Sequence, residues 1–147
     1  MPLNTILVED NKTIQETLVP ALEELADARV VAIAATANDA TRALSQWRED
    51  WQLMVVDLFL KEGSGIDVLQ ELRRSGRSRP AEGANDKTMD QHVYVLSNYA
   101  TADMRRRCKE LGADAVFDKS TELDAFFESC SNLQRGAGRS ARALSRR

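Results

Sequence analysis

Short apolar runs alternate with amphipathic stretches along the chain. The runs are three to six residues long, and two of them are almost uninterrupted in apolar and β-branched residues. This pattern is typical of strands that are buried on both faces of a parallel sheet. We therefore predict strands at 5–8, 30–35, 53–56, 93–96 and 115–117.

Between these strands, apolar residues recur at spacings of three and four, which predicts amphipathic helices. In the first helix, Asn11 or Asp10 can cap the start. Pro20 lies inside the same pattern and removes a backbone hydrogen bond, so we expect a kink there. The apolar face of this helix comprises Ile14, Leu18, Leu22 and Leu25.

Four further helical stretches follow the remaining strands. They are predicted around 39–49, after Gly65, from about 102 to 111 with Gly112 at the end, and after Ser120. Five strand–helix units in series predict an α/β doubly wound fold with a parallel sheet. Apolar positions on the third and fifth of these helices include Val68, Leu69, Leu72, Leu123, Phe126 and Phe127.

The 147 residues suit a single domain. We place that domain at 1–130 and assign 131–147 to the end of the last helix and an arginine-rich tail. From about 136 the tail lacks an apolar period, so we expect it to be disordered. The polar stretch 75–91 is long for a connection within a sheet and is predicted to be a surface loop.

Charge and cysteine content narrow the possible functions. The tail carries five arginines and no acidic residue, so the rest of the chain has a net charge of −8 against −3 for the whole. An acidic body argues against direct DNA binding. Cys108 and Cys130 do not form a disulfide or metal-binding pattern.

The sequence contains no membrane or secretion signal. No stretch approaches the roughly 18 apolar residues of a membrane span, and the start is not a secretory signal. We therefore expect a soluble, cytoplasmic protein without membrane insertion.

Polar residues follow four of the five predicted strands. Strand one ends at Glu9 and Asp10, strand three at Asp57, strand four at Ser97 and strand five at Lys119. In a flavodoxin-like sheet of order 2-1-3-4-5, the carboxyl ends of these strands lie at one edge. The outer strand two ends without a charge. Three carboxylates, a hydroxyl and an ammonium group are therefore expected to converge.

This set of groups indicates a specific chemistry. Clustered carboxylates repel one another, and a hard divalent cation such as Mg²⁺ relieves that repulsion. With the metal present, one carboxylate can attack phosphorus and become an aspartyl phosphate, whose oxygens a lysine and a hydroxyl can hold. Glu9 and Asp10 also suit the N-terminus of a helix as an acidic pair, and that role is compatible with metal binding.

The motifs at these strand ends identify a family resemblance. Over about residues 3–130 the chain resembles the response-regulator receiver domains of two-component signalling, especially the stand-alone, chemotaxis-regulator-like kind. Each motif alone is a weak signal, and their order at the strand ends makes the set specific. The motifs are 6–11 (ILVEDN), 55–60 (VVDLFL) with Gly65, 96–97 (LS), and 112–114 (GAD) leading to 118–120 (DKS).

The resemblance implies roles for the strand-end residues. Asp57 would be the phosphoacceptor, and Ser97 and Lys119 would contact the phosphoryl group. Asp10, Asp57 and the backbone carbonyl of Phe59 would bind Mg²⁺, with Glu9 holding a metal-bound water. The domain would catalyse only its own phosphorylation and dephosphorylation.

Partners follow from the same resemblance. The donor would be a phosphohistidine on a histidine kinase or a histidine phosphotransfer protein. No DNA-binding or enzymatic domain is expected after residue 130, so output would pass through contacts with an unidentified protein. Members of the family commonly use the face of helix 4, strand 5 and helix 5 for such contacts or for a homodimer. The run 105–107 (RRR) fits either a solvated helix face or a partner surface.

Three positions depart from the family pattern. The aromatic residue usual three positions before the lysine is replaced by Val116, and strand alternation directs Phe117 to the opposite face. The residue after the lysine is Ser120 instead of a proline that favours a cis peptide. The residue after Ser97 is Asn98, larger than usual. These departures leave open whether Tyr99 or Phe117 replaces the usual aromatic switch.

Two bulky residues are expected beside the phosphorylation site. Phe59 lies two positions after Asp57, and Tyr99 lies two positions after Ser97. An aromatic ring can neither position nor deprotonate an attacking water. We therefore predict slow self-dephosphorylation, with Tyr99 reporting the phosphorylated state.

Three other functions fit the sequence less well than a phosphorylated receiver. A pseudo-receiver would keep the fold as a phosphorylation-independent interaction module, and the intact acidic and lysine positions argue against it. A phosphatase of the haloacid dehalogenase type needs an acid two residues after the nucleophile, where this chain has Phe59. A nucleotide binder would need a glycine-rich loop after strand one, which the sequence lacks.

Overall fold

The computed structural model describes residues 2–75 and 91–133. Five parallel strands form one sheet in the order β2-β1-β3-β4-β5, which confirms the predicted fold class and strand order. The strands are β1 (Leu3–Val8), β2 (Ala28–Ala34), β3 (Leu53–Val56), β4 (His92–Ser97) and β5 (Ala115–Asp118). The helices are α1 (Lys12–Leu25), α2 (Ala37–Trp47), α3 (Gly65–Ser75), α4 (Ala102–Glu110) and α5, which is helical over 123–133 in the part described.

Alternate residues of the strands contribute to two hydrophobic cores on opposite faces of the sheet. Ile6, Met54 and Val95 belong to the core that α2, α3 and α4 cover. Leu7 and Val55 belong to the core beneath α1 and α5. Because side chains on a strand alternate between faces, strands covered on both sides must be apolar throughout. This double burial explains the uninterrupted apolar runs.

Side-chain caps determine where the first two helices begin. Asn11 caps α1, since its Oδ1 accepts from the Ile14 amide at 3.0 Å. Helix α2 begins at Ala37, two residues before the predicted start near 39, because the Thr36 hydroxyl accepts from the Asp39 amide at 3.0 Å and caps the helix there. Helix α1 continues through Pro20, and the kink there stays a prediction.

The arginine-rich tail and all but the two end residues of the predicted loop 75–91 lie outside the described residues. Within 2–75 and 91–133, no peptide bond is cis, so the bond between Lys119 and Ser120 is trans. In the same ranges, no helix has both the length and the apolar character that a membrane span requires.

Candidate functional site

Backbone hydrogen bonds between strands continue one residue past the strand ends and hold the site residues in register. The Glu9 amide donates to the Ala34 carbonyl at 2.9 Å, and the Asp57 amide donates to the Val8 carbonyl at 2.9 Å. The Lys119 amide donates to the carbonyl of Ser97 at 3.0 Å. The sheet itself therefore sets the positions of these residues at its carboxyl edge.

Three carboxylates meet at this edge. Glu9, Asp10 and Asp57 each offer an oxygen, and these oxygens all lie within 4.8 Å of one another. Glu9 is 1% exposed and Asp57 is 8% exposed, whereas Asp10 is only partly buried and remains accessible to solvent. An all-oxygen donor set with an open side matches the requirements of Mg²⁺, which keeps several of its waters. The residues therefore fit the metal that the sequence analysis anticipates.

Lys119 lies between two of these carboxylates. Its Nζ is 2.6 Å from Glu9 Oε1 and 3.1 Å from Asp57 Oδ2. The lysine side chain is only 10% exposed, so its charge is not that of a solvated surface lysine. One ammonium group thus offsets part of the negative charge of two buried acids, because a buried charge needs a partner.

The pKa of the Glu9 carboxyl is subject to opposing effects. Burial raises the pKa of the Glu9 carboxyl above its usual value, and the negative charge of Asp57 raises it further. The hydrogen bond from Lys119 and that from the Asn11 amide at 3.1 Å oppose this shift by stabilising the charged form. In addition, Gln15 Nε2 donates to the Glu9 backbone carbonyl at 2.5 Å.

Ser97 ends β4 and is fully buried. Its Oγ accepts a hydrogen bond from the backbone amide of Tyr99 at 3.1 Å, which ties the hydroxyl to its own loop. The Ser97 hydroxyl therefore lies at the carboxyl edge of the sheet and is bonded to the loop that follows β4, while its contact with a phosphoryl group stays a prediction.

The loop after β3 folds back over Asp57. The Phe59 amide lies 3.4 Å from Asp57 Oδ1, and the Gly65 amide donates to the Leu58 carbonyl at 3.0 Å. A Cβ atom on Gly65 would lie 2.4 Å from the Asp57 carbonyl oxygen and 2.8 Å from the Leu58 Cα. Glycine at 65 therefore permits the close approach that packs the start of α3 against the acidic strand end.

Phe59 and Tyr99 form an aromatic rim on the loops that follow Asp57 and Ser97. Their ring centroids are 4.5 Å apart with an interplanar angle of 54°. Phe59 is 53% exposed and Tyr99 is 58% exposed. The two residues predicted to flank the site thus contact each other, while their effect on phosphate lifetime stays a prediction.

The usual aromatic switch position has an aliphatic residue in the core. Val116 is buried in the cluster under α4. Phe117 lies in the opposite cluster, with its ring edge-on to Tyr94 at 5.5 Å and to Phe126 at 5.6 Å. The predicted split of Val116 and Phe117 between the two faces is confirmed.

The hydrogen bonds of Arg105 were not predicted from the sequence. Within the run 105–107, the Arg105 side chain is partly buried and donates to the carbonyls of Ala100 and Val116 and to the carboxylate of Glu122. No local pattern could have identified it, because Glu122 is 17 residues away along the chain.

Comparison with known proteins agrees with this geometry. The family model described as the response regulator receiver domain matches residues 5–130. No curated protein sequence matches the chain.

Solved structures share the fold at low sequence identity. The BeF₃-activated DrrB receiver domain is 19% identical with a TM-score of 0.69, covering 92% of this chain and 99% of that chain. CheY in the CheX–CheY–BeF₃–Mg²⁺ complex from Borrelia burgdorferi is similar at 14% identity and a TM-score of 0.69, over 88% of this chain and 90% of that chain. A response regulator in its Mn²⁺-bound form is 23% identical with a TM-score of 0.63, over 90% and 92% of the two chains.

Proposed function

The chain belongs to the receiver domains of response regulators in two-component signalling, and from that premise we propose that Asp57 accepts a phosphoryl group in a Mg²⁺-dependent reaction. The donor is a phosphohistidine of a histidine kinase or a histidine phosphotransfer protein. The observation that carries this proposal is the position of Asp57. It is a nearly buried carboxylate, 3.1 Å from the Lys119 ammonium and clustered with Glu9 and Asp10.

The transfer itself requires little covalent chemistry from the protein. An oxygen of Asp57 attacks phosphorus, an O–P bond forms, and the P–N bond to the donor histidine breaks with its electron pair leaving on nitrogen. Most of the catalysis in such transfers comes from positioning and from neutralising the charge on the phosphoryl oxygens. The fixed strand end that presents Asp57 supplies the positioning.

The acidic cluster supplies the metal ligands. The carboxylates of Asp10 and Asp57 and the backbone carbonyl of Phe59 would hold Mg²⁺, and Glu9 would act through a water. When bound, the ion neutralises charge on the transferring group. Support comes from the oxygen-only donor set and from related structures that were solved with Mg²⁺ or Mn²⁺.

Two further side chains would stabilise the product. The Lys119 ammonium, which now lies between Glu9 and Asp57, would contact a phosphoryl oxygen, and the Ser97 hydroxyl would donate to another after its loop shifts. Both interactions are charge-assisted hydrogen bonds, which are among the stronger ones in proteins. The phosphorylated state would thereby draw two loops toward Asp57.

Output would follow from that movement. We propose that the phosphorylated chain binds a partner protein, or a second copy of itself, through the face of α4, β5 and α5. It would act in the cytoplasm, with no direct contact to DNA. A related CheY was solved in complex with CheX, which supports a protein partner.

A small-molecule phosphodonor tests the acceptor assignment. Phosphoramidate with Mg²⁺ should add one phosphoryl group, detected by intact mass, and Asp57→Asn and Asp57→Ala should abolish the addition. Asp124→Asn, at an exposed carboxylate on α5, is the matched control and should be labelled normally. Failure of the wild type to take up label with or without Mg²⁺ would instead favour a phosphorylation-independent interaction module.

A further inference from the structure

The Arg105 guanidinium joins three parts of the structure. Its Nε donates to the Ala100 carbonyl at 2.8 Å, one terminal nitrogen donates to the Val116 carbonyl at 3.0 Å, and the other donates to Glu122 Oε1 at 2.5 Å. The side chains of Arg105 and Glu122 are 35% and 36% exposed. The planar guanidinium can satisfy several acceptors at once in a way that an ammonium group cannot.

Each acceptor lies close in sequence to a group proposed to bind the phosphoryl oxygens. Ala100 follows Ser97 by three residues in the loop between β4 and α4. Val116 precedes Lys119 by three residues, and Glu122 follows it by three. Arg105 is therefore bonded to both of the loops that carry these groups.

Glu122 extends the connection to the end of β5. Its Oε1 also accepts from the Asp118 amide at 3.0 Å, and the Glu122 amide donates to the Asp118 carbonyl at 2.9 Å. The hydrogen bond from Arg105 is the largest cause that lowers the pKa of the Glu122 carboxyl below its usual value. The carboxylate is therefore charged at neutral pH and binds the arginine and the strand end together.

The neighbouring Arg106 shows what an ordinary pair on the same helix looks like. Its terminal nitrogen lies 3.0 Å from Asp103 Oδ1, and the two side chains are 70% and 88% exposed. That pair spans three residues of one helix, and exposed pairs of this kind contribute little. Arg105, in contrast, links α4 to two other elements.

From this arrangement we infer that Arg105 is a positioning residue that couples the phosphorylation site to helix α4. The inference rests on the proposed function. When Ser97 and Lys119 move toward a phosphoryl group on Asp57, the carbonyl of Ala100 and the start of α5 move with them. Arg105 keeps its bonds to both loops and displaces α4 accordingly. This route needs no aromatic side chain at the Val116 position.

Nuclear magnetic resonance of the full chain tests this coupling. The wild type is phosphorylated with phosphoramidate and Mg²⁺, and the change in amide chemical shift is measured at Arg107 and Lys109 on α4 and at Asn98 and Ser120 in the loops. In Arg105→Ala, we expect the changes on α4 to fall by roughly threefold or more, while those in the loops persist. Arg105→Lys, which keeps the charge but not the planar fork, should fall between the two.

Two further variants keep the test decisive. Arg106→Ala is the matched control and should transmit the change to α4 as the wild type does. Glu122→Gln keeps an oxygen for the Asp118 amide but removes the ion pair with Arg105, so it should reduce the chemical-shift changes on α4. This variant tests the coupling independently if Arg105→Ala does not fold.

The possible failures are distinguishable. Undiminished changes on α4 in Arg105→Ala and Glu122→Gln, with Asp57 labelled, would overturn the coupling role alone. Absence of labelling in the wild type would refute the proposed function, and this inference with it.

Discussion

The charged pocket and the aromatic rim on the loops that follow it are built in opposite ways. The pocket consists of Glu9, Asp57 and Lys119, which are almost fully buried and joined by ion pairs of 2.6 and 3.1 Å. The rim consists of Phe59 and Tyr99, which are more than half exposed and meet through one ring contact. The sheet fixes the pocket, whereas the rim residues lie on the loops after β3 and β4. We therefore expect the pocket to determine whether phosphoryl transfer occurs and the rim to adjust how long the product lasts.

Removing the cation from the pocket should have the largest effect. Lys119→Met keeps the length of the side chain but leaves Glu9 and Asp57 without their ammonium partner. Loss of one preorganised donor typically lowers a rate by about 10²–10³-fold, and we expect labelling by phosphoramidate to slow by about 100-fold. Lys109→Met on the exposed surface of α4 should leave the rate unchanged, and an equal rate in both variants would contradict the role of Lys119.

Displacing the backbone beneath the pocket should have the second-largest effect. In Gly65→Ala, the new Cβ would meet the Asp57 carbonyl at 2.4 Å, so the strand end must shift. We expect a loss of roughly 1–3 kcal/mol in the free energy of unfolding together with slower labelling of Asp57, measured by denaturant titration and intact mass.

A second glycine provides the control for this prediction. Gly112 has a φ of 103° at the end of α4, so Gly112→Ala is also strained and should cost about 1–2 kcal/mol. It lies away from Asp57, and labelling should be normal in the folded variant. Slow labelling in both variants would show that lost stability, and not the position of Asp57, governs the rate.

Asp10 tests the open side of the pocket. Asp10→Asn removes one charge from the three-carboxylate cluster, and the affinity for Mg²⁺ depends on the charge of its ligands. We expect roughly tenfold weaker Mg²⁺ binding by titration calorimetry. Asp39→Asn, at an exposed position on α2, should bind Mg²⁺ as the wild type does, and equal affinity in all three proteins would exclude Asp10 as a ligand.

Changes in the rim should have the smallest effects. Phe59→Asn and Tyr99→Glu introduce polar groups on the loops beside Asp57. Such groups can position an attacking water or accept a proton from it. We expect decay of the phosphorylated protein to accelerate by roughly fivefold, less than the ~10²-fold that a well-placed general base contributes. Leu25→Glu is the matched control, because Leu25 is also 58% exposed but lies at the end of α1. Unchanged decay in both rim variants would refute the shielding role.

The sequence determines much of this pocket in advance because its geometry follows from the sheet. Parallel strands place their carboxyl ends at one edge, so Glu9, Asp57, Ser97 and Lys119 could be grouped from their positions after apolar runs. The cap of α2 could not be chosen with certainty, since Thr36, Asn38 and Asp39 all suit an N-cap. Which of these residues caps α2 depends on the backbone conformation after the preceding strand.

Arg105 shows what lies beyond such reasoning. Its bonds to Ala100, Val116 and Glu122 join segments that are brought together only when α4 packs beside β5. A sequence pattern describes periodicity within an element, but not which acceptors a long, flexible side chain meets across elements. For Lys119 and Glu9, 110 residues apart, the shared edge of the sheet could be predicted, but not that the ammonium group would pair with the Glu9 carboxylate.

Chemical mapping of the phosphorylated residue tests the central claim most directly. After phosphoramidate labelling with Mg²⁺, borohydride reduces an aspartyl phosphate to homoserine, which peptide mass spectrometry locates in the chain. We predict homoserine at position 57 alone, in an amount that matches the intact-mass label and disappears when Mg²⁺ is removed. Homoserine at position 10, or label that survives without any homoserine at position 57, would contradict the assignment of Asp57 as the phosphoacceptor.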